Sequence, residues 1–317
     1  MGEPVTVPRP PRSRPWLSPL VKTVFFGAIG VALCWYFLTV DWSALHGVTF
    51  RPGLLALALV VALAFRYLGV VVWRLVLRQL GADALPPLPV LADIYAKAWL
   101  ARYIPGTLPW IAGKVYLAAE HGIAKTKLAV SSVVEAGAQV VGVGALSLAL
   151  LALDGRIADV APFIRVVAVV GALALACVML PPVFNRMIHL GARLVRRDIQ
   201  VSVSWRGVGS PVALYAVGAV VSGLSYVAFS HAIITNLTWG DTAYLIGAFG
   251  LAGVVGMLTP LVPSGLGTRD SAQLLLLLVI LPVPEAALLV LASRVWSALV
   301  DVVFWAVAAV HRSASKP

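Results

Sequence analysis

Carboxylates are scarce in this sequence. Its 317 residues contain 13 Asp and Glu against 24 Lys and Arg, and charged residues of both signs make up only 12% of the chain. With 61% hydrophobic residues and a mean hydropathy of +0.96, so small a charged fraction excludes an ordinary water-soluble domain. Cysteine is nearly missing. Cys34 and Cys177 both lie inside apolar runs, so they read as packing residues and offer neither a disulfide framework nor a metal site. The five histidines, His46, His121, His189, His231 and His311, have no metal-ligand spacing, and no Gly-x-x-x-x-Gly-Lys loop is present to hold a nucleotide. Metal-dependent and ATP-driven chemistry are disfavoured on those grounds, and no cofactor is expected. A net charge of +11 could point to nucleic acid. The basic residues, however, cluster in short loops between apolar runs, where they set orientation and meet anionic lipid, so nucleic acid is not expected as a partner.

What the sequence does have is long hydrophobic runs. Leu20 to Val40, Leu54 to Leu77, Leu128 to Leu153, Pro162 to Phe184, Pro211 to Thr235 and Ala286 to Val310 can each cross a hydrocarbon core of ~30 Å at ~1.5 Å per residue. The expected fold is therefore an all-α polytopic integral membrane protein with six spans. Residues 1–19, rich in Pro and Arg, read as a disordered cytosolic tail. The run after them is long for a signal peptide and lacks a small-x-small cleavage site, so it is expected to remain as the first span.

Two further apolar segments, 90–117 and 242–281, are interrupted. The first contains Arg102-Tyr103-Ile104-Pro105-Gly106-Thr107-Leu108-Pro109-Trp110 and runs on to Lys114. The second contains Pro263-Ser264-Gly265-Leu266-Gly267-Thr268-Arg269-Asp270. Proline removes a backbone donor and glycine permits a turn, so Pro105, Gly106, Pro109, Pro263, Gly265 and Gly267 are expected to break the helices. Open backbone at membrane depth is tolerated only inside protein or beside a wet cavity. Breaks at corresponding places in two halves mark transport sites. The first segment reads as a re-entrant hairpin; the second is either a hairpin or two tilted spans.

Loop charge supports this topology. Arg9, Arg12, Arg14, Lys22, Arg74, Arg78, Lys125, Lys127, Arg186, Arg193, Arg196, Arg197, Arg206, Arg312 and Lys316 all fall on one side if the hairpins return to their own side. The opposite loops at 41–51, 154–159 and 236–241 are poor in Lys and Arg. The positive-inside rule then makes the rich side cytoplasmic, with both termini there, in what is expected to be a bacterial inner membrane. Each half reads span, span, broken hairpin, span, with opposite starting sides, giving two inverted repeats at 20–158 and 159–317. Glu135 lies thirty residues after Pro105 and Arg294 thirty-one after Pro263, a match in register that suggests a contact between the two.

Several ionisable groups fall where lipid should be. Arg66 sits near the middle of the second span, Lys97, Arg102 and Lys114 bracket the first break, Arg269 and Asp270 close the second, and Arg294 lies in the last span. A charge at mid-depth costs about 2.5 to 3.5 kcal/mol or more, so these cations need a partner. Arginine binds phosphate through a bidentate fork, and a half-helix start adds free N–H groups and a positive dipole end. Competing readings are blander. Arg74 and Arg78 reach the headgroups by snorkelling, and Lys97 and Lys114 could lie at the interface. Glu135, Asp270 and Asp301 could neutralise Arg102, Arg269 or Arg294, and Glu135 could alternatively couple transport to protons. Trp35, Trp42, Trp73, Trp99, Trp110 and Trp239 read as interface anchors. Asn236-Leu237-Thr238 fits a glycosylation acceptor pattern.

Arg-Tyr-Ile-Pro-Gly at 102 to 106, Glu135, Pro-Ser-Gly-Leu-Gly-Thr-Arg-Asp at 263 to 270 and Ser-Arg-Val-Trp at 293 to 296 resemble the pattern of the lysylphosphatidylglycerol synthase transmembrane-region family. The resemblance runs from the first span to the last. It implies a membrane domain that moves lipids between leaflets, aminoacylated phosphatidylglycerol in fused synthases and lipid-linked sugars in other members. The family motif commonly ends in Arg-Glu where this chain has Arg269-Asp270, and the aminoacyl-transferase domain of the fused members is expected to be absent.

The functional expectation is a flippase for an anionic, phosphate-bearing lipid, either a phospholipid or a polyprenyl-phosphate-linked sugar, working by alternating access. Arg66, Arg102, Lys114, Glu135, Arg269, Asp270 and Arg294 are the expected substrate-binding residues. Two rivals stand beside it. A membrane-embedded transferase would use Arg102, Arg269 and Glu135 on a lipid phosphate, and a non-catalytic partner of a lipid or glycan synthase would explain the spans alone. Besides lipid, another copy of the chain or such a synthase is the expected protein partner.

Overall fold

The computed structural model describes residues 50–82, 84–103, 108–160, 162–178, 180–194, 203–259, 265 and 267–315. The tail at 1–19, the expected first span at 20–40, and Pro105, Gly106 and Pro263 lie outside these. Among the described residues every extended element is a helix: α1 (Pro52–Gln79), α2 (Leu88–Leu100), α3 (Leu108–Ala119), α4 (Lys125–Leu153), α5 (Gly155–Val160), α6 (Pro162–Val178), α7 (Pro181–Leu194), α8 (Trp205–Ile233), α9 (Thr242–Met257), α10 (Thr268–Leu277) and α11 (Val283–Ala314). Proline sets several starts. Pro52, Pro89 and Pro284 fall in first turns, where a missing N–H costs nothing. Ser204 caps α8 by accepting from the Gly207 N–H at 3.1 Å.

Five described helical stretches are long and apolar enough to cross a membrane: Pro52–Gln79, Lys125–Leu153, Trp205–Ile233, Trp239–Met257 and Val283–Ala314. Val169–Val178 with Pro181–Met187 makes a sixth if that pair, bent by 68°, is counted as one span. The protein is thus an integral membrane protein. The bend departs from the unbroken span expected over 162–184, and its cause is Pro181-Pro182, whose rings and missing donors end the incoming helix. The segment 242–281 has two unequal legs. Its first leg spans by length, whereas α10 has only 10 residues. In the first broken segment α2 and α3 have 13 and 12 residues, each short of a crossing.

The arrangement of polar and apolar side chains is reversed relative to a soluble protein. Asp93, Lys114, Glu135, Gln273 and Asp301 are buried, whereas Leu57, Val60, Val217, Leu275, Val295 and Val302 are exposed. Lipid tails are as apolar as leucine, so helices associate through close packing and internal polar contacts. The long helices α1 and α8 pack together, α4 lies against α8 and α9, and α2 lies against α11. Small residues bring the backbones close. A Cβ on Gly142 of α4 would stand 2.5 Å from the Val212 carbonyl oxygen of α8. Cys177 is exposed on α6, not packed as expected.

Candidate functional site

Three carboxylates, each on a different helix, organise the buried charge. Asp301 stands in the middle of α11 and accepts from two arginines: Arg66 of α1 at 2.8 Å and Arg102, in the single turn Ala101–Tyr103 that ends α2, at 2.7 Å. Tyr103 donates its hydroxyl to Asp301 at 2.7 Å and Trp99 its indole N–H at 3.2 Å. Both guanidinium groups also lie over the Trp99 ring, at 5.0 and 4.9 Å. One carboxylate therefore ties the middles of α1 and α11 to the end of α2.

Glu135 of α4 forms the second cluster. It pairs with Lys114 of α3 and accepts from the Tyr95 hydroxyl at 2.6 Å and the Tyr215 hydroxyl at 3.0 Å. The Lys114 ammonium is enclosed by rings, with Tyr95, Trp110 and Trp73 centred 3.9, 4.8 and 5.1 Å away. Lys114 and Glu135 are both essentially inaccessible, so the interface alternative for Lys114 does not hold. The expected Glu135–Arg294 contact is likewise absent, because Lys114 and the two tyrosines take the Glu135 oxygens. Lys97 does lie at an accessible edge, 42% exposed and paired with Asp93 at 2.8 Å.

The third cluster closes the second break. Gly265 and Gly267 have φ of 66° and 83°, in the left-handed region where only glycine is unstrained. That geometry starts α10, and Asp270 in its first turn accepts from the Gly267 N–H at 3.0 Å. The same carboxylate takes a fork from Arg294 of α11, Nε at 2.5 Å and Nη2 at 2.8 Å, while Arg294 also donates to the Gly265 carbonyl at 3.0 Å. Asp270 is thus a cap and a counter-ion, and its oxygens are already engaged.

Arg269 is the exception. Among the described residues it has no carboxylate partner; its guanidinium lies over Phe249 at 5.2 Å, and its Nε is shielded from solvent without an acceptor. It lies within electrostatic reach of Arg294, Arg102 and Arg66 and of the neighbouring Asp270 carboxylate. A narrow crevice lined by Phe65, Arg66, Gly69, Tyr95, Trp99, Gln139 and Tyr215 enters between the first two clusters, with room for about one water molecule.

Of the expected binding residues, Arg66 and Arg102 share one anion, Asp270 and Arg294 pair, Lys114 and Glu135 pair, and Arg269 stands apart. Pro109 lies in the first turn of α3. Tyr95, Tyr103 and Tyr215 carry roles not anticipated. Trp73, Trp99 and Trp110 line the clusters instead of anchoring the interface, although Trp239 is 65% exposed as an anchor would be. A signal existed for some of them, since Tyr95, Trp99 and Tyr103 recur every fourth residue on one stripe, and Asp301 follows Arg294 by two turns on one face. At one loop, Arg156 binds Asp154 at 2.8 Å and Asp241 at 2.6 Å; its hydrogen bonds hold the Asp154 carboxyl below the usual carboxylate range. Asn236 of the acceptor pattern donates to Glu285 at 2.6 Å.

The chain matches no protein-family model and no curated protein.

Proposed function

We propose that the protein moves an anionic, phosphate-bearing lipid between membrane leaflets, and that it belongs with the lysylphosphatidylglycerol synthase transmembrane-region proteins its motifs resemble. The observation that carries this reading is the excess of part-buried arginine at the two breaks, above all Arg269, which has no carboxylate partner among the described residues. An unpaired guanidinium at membrane depth is costly, and a lipid phosphate entering from the side would supply the missing anion. Acyl or polyprenyl chains would remain in the bilayer while the headgroup crosses through the interior.

Alternating access by two inverted repeats is part of the proposal. The packing is consistent with it: α2 of the first broken segment lies on α11 of the second half, and α9 of the second lies on α4 of the first. Exchanging the halves maps one contact onto the other. The crevice beside Arg66 is too narrow for a headgroup, so the helices would part to admit one. Both termini would face the cytoplasm of a bacterial inner membrane. The transferase alternative is weakened because its general base, Glu135, is buried and already bound by Lys114, Tyr95 and Tyr215.

The test is transbilayer movement of labelled phospholipid and polyprenyl-phosphate lipids in proteoliposomes. Arg102→Ala and Arg269→Ala should each slow movement by about tenfold or more, the worth of a charged hydrogen bond. Wild-type rates in both variants would overturn the site assignment. If no lipid moves with the protein folded, the transferase and scaffold readings take precedence.

A further inference from the structure

The charge balance of the central site selects among anionic headgroups. Among the described residues, Arg66, Arg102, Arg269 and Arg294 face two carboxylates, Asp301 and Asp270, an excess of two positive charges. Other described acidic side chains are committed or remote. Asp93 binds Lys97 and Arg312, Glu135 binds Lys114, Asp154 and Asp241 bind Arg156, and Glu285 binds Asn236. Glu120 is exposed in a turn. The breaks themselves bring no further charge, because residues 104–107 and 260–264 contain no ionisable side chain.

Unfilled hydrogen-bond donors also mark the site for an anion. The Nε groups of Arg66, Arg102 and Arg269 are shielded from solvent and have no acceptor among the described residues. Buried donors are normally satisfied, so these N–H groups call for the oxygens of an anion in the site. A phosphodiester has two terminal oxygens and one charge. A phosphate monoester has three terminal oxygens and carries about −1.5 to −2 at neutral pH, and a diphosphate offers still more acceptors.

We propose that the site is built for a lipid whose phosphate carries two negative charges, a phosphate monoester or a diphosphate, in preference to a phosphodiester. This rests on the lipid-transport reading above and narrows its substrate class. A phosphodiester would leave one cation at membrane depth uncompensated. The doubly charged headgroup removes that penalty.

The experiment uses the full chain in proteoliposomes with fluorescent lipids that share the same acyl chains: phosphatidic acid, a monoester, and phosphatidylmethanol, its diester counterpart. Polyprenyl diphosphate bearing the same label forms a third arm. At pH 8, phosphatidic acid should move about tenfold faster than phosphatidylmethanol. That advantage should shrink at pH 5, where the monoester holds one charge, while polyprenyl diphosphate keeps its rate if an isoprenoid lipid is the natural source. Equal rates for the first two lipids at pH 8, with both slowed by Arg269→Ala, would overturn the two-charge assignment and leave lipid transport standing. Movement of none of the lipids by folded protein would remove the transport reading and this inference with it.

Discussion

Lys114 and Glu135 show how steeply the interior penalises a lone charge. Replacing Lys114 with methionine would strand a buried carboxylate with only two tyrosine donors, a change expected to cost about 3 kcal/mol or more. The double variant Lys114→Met with Glu135→Gln removes both charges and should recover most of that loss. Denaturant unfolding in detergent micelles checks this; equal instability of the single and double variants would show that the pair is not what holds α3 on α4. At this scale the cations were legible in the sequence, because Arg66, Arg102, Arg269 and Arg294 stand out in apolar runs. Their partners were not. Glu135 is matched with Lys114, 21 residues away, and Asp301 with Arg102, 199 residues away; nothing local distinguishes either choice from the Glu135–Arg294 pairing that the register suggested.

Helices in this protein approach where a side chain is absent. A methyl group on Gly142 would press into the backbone of α8 at Val212 and Ala216, at 2.5 and 2.9 Å, so Gly142→Ala should destabilise by about 1–3 kcal/mol as α4 and α8 are pushed apart. Gly253, in α9, has nothing within 4 Å of an added Cβ. Gly253→Ala should therefore be neutral or stabilising by up to about 1 kcal/mol, from helix propensity alone. Thermal unfolding of the two variants side by side tests the contrast, and a similar loss in both would refute a packing origin. Element positions followed well from hydropathy: 54–77, 128–153, 211–235 and 286–310 each lie within or almost wholly within one long helix. The bend at Pro181-Pro182 was written in the chain but hidden by the surrounding hydropathy, which averages over two prolines. Which leg of 242–281 would span was not legible, since both are apolar and only the glycine geometry at 265 and 267 sets where α10 begins.

Among the described residues the long helices present apolar side chains outward and hold several charges between them, so the surrounding lipid acts as solvent. Orientation can be tested with the native cysteines replaced by serine. The 29-residue α4 is about 43 Å long and separates Glu120 from Gly155, both exposed. In intact inverted and right-side-out vesicles, a membrane-impermeant thiol reagent should label Glu120→Cys from the cytoplasmic side and Gly155→Cys from the other. Reversed labelling would contradict the reading of loop charge. Sequence alone determined that the chain lives in a membrane and where most helices run, because hydropathy, proline and charge act locally or over one helix length. Only the tertiary structure decided that Asp301 binds two arginines, that Lys114 sits in a cage of aromatic rings, and that Arg269 has no carboxylate of its own among the described residues. Those outcomes depend on which helices lie side by side, and in a bilayer that choice is made by backbone approach and polar pairing among segments that are almost equally apolar.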